Sequence, residues 1–238
     1  MTARDDVTAR QDPTATDSRG REFKDSIFTQ FARSAAAFSS PRRVEIIDVL
    51  AQGERSVESI ATESGLTMAN TSRHLQVLKN AGLVASRKDR LNVIYRLADP
   101  SVLKGYQALR ALSESRIGDV HKLAEAFFGE VDGAEAVSID ELRRRASAGE
   151  ILLIDVRPEL EFMAGHIAGA VSVPLAELSR QISELPRDRT VVAYCRGPYC
   201  VMAASAVREL RRAGLSAVRM DGGLPEWKAA ELPVRVGA

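Results

Sequence analysis

Thr190-Val-Val-Ala-Tyr-Cys195-Arg-Gly-Pro-Tyr-Cys200 and the run that follows it, Val201 to Ala213, decide the second half of this chain. The apolar run 190–194 reads as a buried strand, and 201–213 reads as a helix. A cysteine between a strand end and a helix start lies under converging backbone N–H groups and the positive end of a helix dipole. That setting favours a thiolate and binds anions. The chain has 2 cysteines, both in this stretch, so no disulfide framework is available. The pair points to sulfur chemistry rather than stapling, and such sparing use of cysteine fits a reducing cytoplasm.

Outward from this stretch, short apolar strands at 151–156, 171–173 and 217–220 alternate with helical segments. That order predicts a parallel sheet covered by helices. Ser138-x-x-Glu141 is a capping-box pattern that opens the unit. At 238 residues, two small domains are expected; 45% hydrophobic and 27% charged residues are ordinary for a globular protein. No apolar run approaches the length of a membrane span, and the start of the chain has no secretory pattern. The net charge of +1 argues against a wholesale polyanion binder. Between Pro41 and Leu97, however, nine Lys/Arg face six Asp/Glu, so the front half carries a basic excess.

Residues 1–20 are polar and are expected as a disordered tail. Phe23, Ile27, Phe28, Phe31, Ala35 and Phe38 then recur at helical spacing. Pro41 opens a second helix ending near Gly53, 56–63 is a third, and Thr67 caps a fourth running to about Asn80. The period changes over 83–97, which reads as a β-hairpin with the tip Lys88-Asp89-Arg90. Asp99-Pro100 starts a long helix to about 128, and 129–133 reads as a linker. Placing Thr71, Leu75 and Leu78 on the buried face of the fourth helix sets Ala69, Asn70, Arg73 and Gln76 on the opposite face. Arg and Gln are groove-reading side chains, and a recognition helix presents such a face to the major groove. Thr67, Ser72 and His74 flank it, within reach of phosphates, and Arg87, Lys88 and Arg90 on the tip would neutralise phosphates.

Residues 41–98, through Arg42-Arg-Val-Glu-Ile-Ile-Asp-Val-Leu50, Asn70-Thr-Ser-Arg-His-Leu-Gln-Val-Leu78, Ala81-Gly-Leu-Val84 and Val93-Ile-Tyr-Arg-Leu97, resemble the ArsR repressor family. The resemblance implies a homodimer that occupies double-stranded operator DNA, with residues 22–38 and 100–128 at the dimer interface. Metal-sensing members carry cysteines or carboxylate–His sets that this chain lacks. No Cys precedes 195, and Asp119 with His121 is half a site at most, better read as a solvated helix face. No metal and no cofactor are expected.

Residues 138–234 resemble a single rhodanese (sulfurtransferase) domain. The matching pieces are Leu153-Ile-Asp-Val-Arg157, Glu161-Phe-x-x-Gly-His-Ile-x-Gly-Ala170, Val173-Pro174, Tyr194-Cys-Arg196 and Gly222-Gly-x-x-x-Trp227. The resemblance implies that Cys195 attacks a sulfane sulfur and carries it as a persulfide. The loop Gly197, Pro198, Tyr199, Cys200 and Val201 would supply amide donors, and Arg196 the cation for an anionic donor. Asp155 and Arg157 are expected to tie loops near the site, His166 to be a hydrogen-bonded structural residue, and Trp227 to be core. Cys200 stands where many members have a basic or hydroxyl residue. Losing that side chain weakens thiosulfate binding, and gaining a thiol offers a partner for a Cys195 sulfenate or persulfide in an intraloop disulfide. A small apolar residue at a helix start is the competing reading of Cys200.

The fold expected is two domains: a mainly α winged helix-turn-helix over 21–130 and an α/β rhodanese fold with a central parallel sheet over 138–234. The leading functional expectation is a cytoplasmic, dimeric DNA-binding repressor that senses a small sulfur-containing or oxidant effector through Cys195. In that reading the helix 100–128 carries the signal. The alternative is an active thiosulfate or persulfide sulfurtransferase tethered to DNA. Arsenite or arsenate binding by the loop is a third and weaker option, since two thiols hold arsenite less well than three.

Overall fold

The computed structural model describes residues 13–132 and 136–237. The front unit runs α1 (Pro13–Phe38), α2 (Pro41–Ala51), β1 (Arg55–Ser56), α3 (Val57–Glu63), α4 (Met68–Asn80), β2 (Val84–Asp89), β3 (Asn92–Leu97) and α5 (Pro100–Arg116). Pro at the first turn starts both α2 and α5, where its missing N–H costs nothing. The side chains of Ser56 and Thr67 accept from Ser59 N and Asn70 N and so cap α3 and α4. Ile46, Ile47 and Leu50 from α2, Ile60 from α3 and Leu75 and Leu78 from α4 close one core against β2 and Val102. The hairpin β2–β3 pairs Val84 with Leu97 and Asp89 with Asn92, and β1 adds a third antiparallel strand. Arg90 adopts the left-handed φ of 54° at the tip, the conformation a two-residue turn demands.

Three expectations for this half are corrected. Residues 13–20, expected within the tail, are helical, while 1–12 lie outside the described residues. Once α1 is nucleated, each added residue gains a backbone hydrogen bond without needing to bury anything. The helix expected over 100–128 is two: α5 ends at Arg116, Ile117 turns the chain at φ −110° and ψ 98°, and α6 spans Gly118–Asp132. Glycine at the restart resists a continuous helix, and the break lets α6 fold back. The linker expected from 129 is helical as far as Asp132, and 133 lies outside the described residues.

The back unit runs α7 (Ile139–Ser147), β4 (Ile151–Asp155), α8 (Glu159–Ala164), β5 (His166–Ile167), β6 (Val171–Ser172), α9 (Leu178–Gln181) with a 3₁₀ turn, β7 (Thr190–Cys195), α10 (Val201–Arg212), β8 (Ala217–Gly223), α11 (Leu224–Ala229) and β9 (Val234–Arg235). The sheet is parallel in the order β6-β4-β7-β8. Side chains alternate across β7. Val191, Ala193 and Cys195 enter a core with α10, and Val192 and Tyr194 enter a second core with α7, α11 and Trp227. Phe128 of α6 is buried in the first of these cores, with Ala124 packed against it. The second half of the expected dimer helix therefore serves as a layer of the α/β unit. Phe23, Phe28 and Phe31 on α1 remain exposed. Among the described residues no helix is long and apolar enough to cross a membrane.

Candidate functional site

Cys195 ends β7 at the carboxyl edge of the parallel sheet, the edge where open α/β sheets place their sites. The period of two that puts Val191 and Ala193 against α10 carries the Cys195 side chain there too, and it is fully buried. Its sulfur is bonded to that of Cys200, the residue before α10, with Cα atoms 6.2 Å apart. Neither sulfur is a thiolate in this state. The loop curls through one turn in which Cys200 N donates to the Gly197 carbonyl at 3.1 Å. Gly223, at the end of β8, lies against the loop base. A Cβ there would fall 2.4 Å from the Cys195 carbonyl oxygen and 2.5 Å from Gly197 N, so only glycine fits.

The front unit packs against part of the loop, leaving Tyr199 exposed. Arg196 donates through Nε to Glu161 at 3.1 Å and also pairs with Glu63 at the end of α3. Glu161, itself buried, takes a second cation from the front unit: Arg55 lies 2.6 Å away. Gln52, just after α2, donates to the Arg196 carbonyl at 3.3 Å and accepts from Arg157 Nη1 at 3.2 Å. On the other side Tyr199 donates to Glu114 at 2.9 Å, and Arg110 donates to Glu226 at 2.7 Å, both from α5. Burial works against the Arg196 charge, but hydrogen bonding and ion pairing with Glu161, then Glu63, outweigh it and raise its pKa. Arg196 is thus already engaged by two carboxylates. The expectation of a cation waiting for an anionic donor is corrected, as is the expectation of an open thiolate at 195.

A cavity of about 460 Å³ opens between the units beside this loop. Its walls include Glu45, Asp48 and Val49 of α2, Glu63, Tyr106 and Arg110, and the loop from Arg196 to Cys200 with Val201 and Met202. Cys200 reaches it; Cys195 lies beneath. Burial pushes the Asp48 carboxyl up to about 6, against the lowering effects of the Tyr106 hydroxyl and Arg196.

The residues expected near the site behave as structure. Arg157 and Asp155 are both fully buried, with Nε 2.9 Å from Oδ1, and Arg157 also donates to the Gly165 carbonyl at 2.8 Å. His166 stacks on Phe162 at 3.7 Å and its Nδ1 lies 3.0 Å from the Phe162 carbonyl. Trp227 donates to Pro233 O at 2.9 Å. Gln52, Arg55, Glu63, Asp48, Tyr106, Arg110 and Glu226 had no signal in the sequence. They reach the loop over separations such as 133 and 144 residues. Glu161 stood in a quoted motif without a role.

The second candidate surface is on α4. Thr71, Leu75 and Leu78 are buried, while Thr67, Asn70, Ser72, Arg73 and Gln76 are exposed and His74 is half-buried. Arg87 is paired with Glu54 and Asp89, both about 3 Å away, whereas Lys88 and Arg90 are exposed at the tip without an ion pair among the described residues.

Residues 138–230 match the family described as rhodanese-like domain, and residues 40–86 match that described as bacterial regulatory protein, arsR family. An HTH-type transcriptional regulator of Mycobacterium tuberculosis is 44% identical over 215 residues, covering 90% of this chain and 94% of its own length. A sulfurtransferase of Allochromatium vinosum is 32% identical over 93 residues, 39% of this chain and 85% of its own. The solution structure of a homodimeric winged helix-turn-helix DNA-binding domain from Mycobacterium bovis is 35% identical, with a TM-score of 0.39, over 40% of this chain and 89% of that one.

Proposed function

Since the chain belongs to the ArsR-type HTH transcriptional regulators, here joined to a rhodanese-like domain, we propose that it represses transcription as a dimer and that the thiol–disulfide state of Cys195 and Cys200 sets its operator affinity. The supporting observation is the ion-pair clamp between the two units: Arg196 of the cysteine loop pairs with Glu63 of α3, and Glu161 of α8, which also holds Arg196, pairs with Arg55 of β1. Glu63 ends the helix that precedes α4, so a loop that changes shape on opening the disulfide pulls directly on the element that positions the recognition helix. The route is this short contact rather than a continuous helix 100–128, because that helix is broken at Ile117.

The energies are adequate. A tenfold change in operator affinity needs about 1.4 kcal/mol of difference between the two states, and breaking one buried charge pair costs about 3–5 kcal/mol. The exposed Phe23, Phe28 and Phe31 on α1 supply an apolar face for the second copy. Arg196, held by two carboxylates, is poorly placed to seat thiosulfate, which favours signalling over turnover as the role of the loop.

Band shifts with the operator test this reading. Dithiothreitol, peroxide and polysulfide treatments should give affinities that differ by at least tenfold between reduced and oxidised protein, and Cys200→Ser should remove the difference. Equal affinity under all three treatments refutes the proposal.

A further inference from the structure

We propose that the cavity beside Cys200 is a charge filter, admitting small uncharged or cationic thiol-reactive solutes and turning away anions. The inference rests on the reading that Cys195 and Cys200 cycle between dithiol and disulfide, and it names the class of effector that reaches them.

Three carboxylates, Glu45, Asp48 and Glu63, and two guanidiniums, Arg110 and Arg196, line the cavity with Cys200. Each guanidinium already faces two carboxylates, although Arg110 Nε has no hydrogen-bond partner. Arg110 is held by Glu226 at 2.7 Å and by Glu114 at 3.4 Å, and Arg196 by Glu161 and Glu63. Among the described residues Asp48 makes no ion pair, and Glu45 is paired only with the exposed Arg42 at 2.8 Å. With both guanidinium charges offset by carboxylates, an incoming anion meets the excess negative charge of Glu45 and Asp48. A cation finds Asp48 and Glu45, and an uncharged solute meets no such penalty. One unit of charge about 7 Å away, in a setting between bulk water and a protein surface, alters local concentration roughly three- to tenfold.

The cavity also reverses the order expected of the two sulfurs, since Cys200 lines it while Cys195 is buried behind. With a disulfide RSSR, the Cys200 thiolate attacks one sulfur, the RS–SR bond breaks, Cys200–S–S–R forms and RS⁻ leaves to take up a proton. The Cys195 thiolate then attacks the Cys200 sulfur, closing the intraloop bond and releasing the second RS⁻. Two electrons pass from the two protein thiols to RSSR. With hydrogen peroxide, Cys200 takes one oxygen as a sulfenic acid with loss of hydroxide, and condensation with Cys195 expels water.

The test uses the full-length reduced protein with three probes: cystamine, bis(2-hydroxyethyl) disulfide and 3,3′-dithiodipropionate. Closure of the intraloop bond is followed by mass spectrometry, and each rate is divided by that of the urea-unfolded chain to remove the probe's own reactivity. The normalised rates should fall in the order cation, neutral, anion, with about tenfold or more between the extremes. Glu45→Gln with Asp48→Asn should narrow that ratio to about threefold or less. Equal rates, or faster reaction with the anion, overturn the filter while leaving the switch intact. If none of the three probes nor hydrogen peroxide closes the bond in the folded protein, the switch falls as well.

Discussion

Glu161→Gln is the substitution that bears hardest on the clamp. Its carboxylate is buried between Arg55, 2.6 Å away, and Arg196, so the amide leaves the front unit's guanidinium buried without a counter-charge. Removing one partner of a buried pair costs about 3–5 kcal/mol. Arg196 keeps Glu63, which places the expected loss at the low end, about 3 kcal/mol. For a chain of this size each kcal/mol lowers the midpoint by about 2–4 °C, so thermal melting should fall by about 6–12 °C. The second readout is operator affinity by fluorescence anisotropy in dithiothreitol and after peroxide. The reduced variant should still bind, because α4 and the wing are untouched, but the difference between redox states should shrink to less than threefold. A melting shift under about 2 °C together with an intact redox difference would show that neither stability nor coupling passes through this carboxylate.

Three further outcomes are expected. Gly223→Ala, whose Cβ would meet loop backbone at 2.4 Å, should destabilise the protein by about 1–3 kcal/mol in urea unfolding and slow closure of the Cys195–Cys200 bond; wild-type behaviour would mean the loop is free to shift. Asp48, raised from 3.8 to about 6, binds its proton more tightly folded than unfolded, so its contribution is full below pH 4 and is lost as pH rises toward 6. Relative to Asp48→Asn, the wild type should therefore lose about 1–3 kcal/mol across that window in pH-dependent unfolding, and parallel curves would refute the assignment. Lys88→Ala and Arg90→Ala should each lower the slope of log affinity against log salt by about one, sequence-independently, whereas Arg87→Ala, already paired with Glu54 and Asp89, should change it less.

The helix-turn-helix and the strand–cysteine–helix step were legible because each is written in local chemistry. Thr67 and Ser56 cap helices, Pro41 and Pro100 start them, and the buried positions of α4 and β7 follow periods of 3.6 and 2. Where local chemistry is ambivalent the reading went astray. Residues 13–20 are polar in sequence, yet they belong to a helix, and the stretch through Ile117 has a helical pattern that tertiary packing interrupts so that Phe128 can enter the α/β core.

By itself the amino-acid order determined that there are two units, which side of α4 faces a core, and that both thiols share one loop, because periodicity and capping act over a few residues. Only the tertiary structure decided what that loop touches. Glu63 reaches Arg196 across 133 residues and Gln52 reaches its carbonyl across 144, contacts that depend on how the two units dock and leave no trace in spacing. The same docking neutralised the arginine that the resemblance offered as an anion-binding cation and turned Cys200, rather than Cys195, toward the cavity. Charge and burial at a site are sums over neighbours brought close by folding, and those sums set its chemistry.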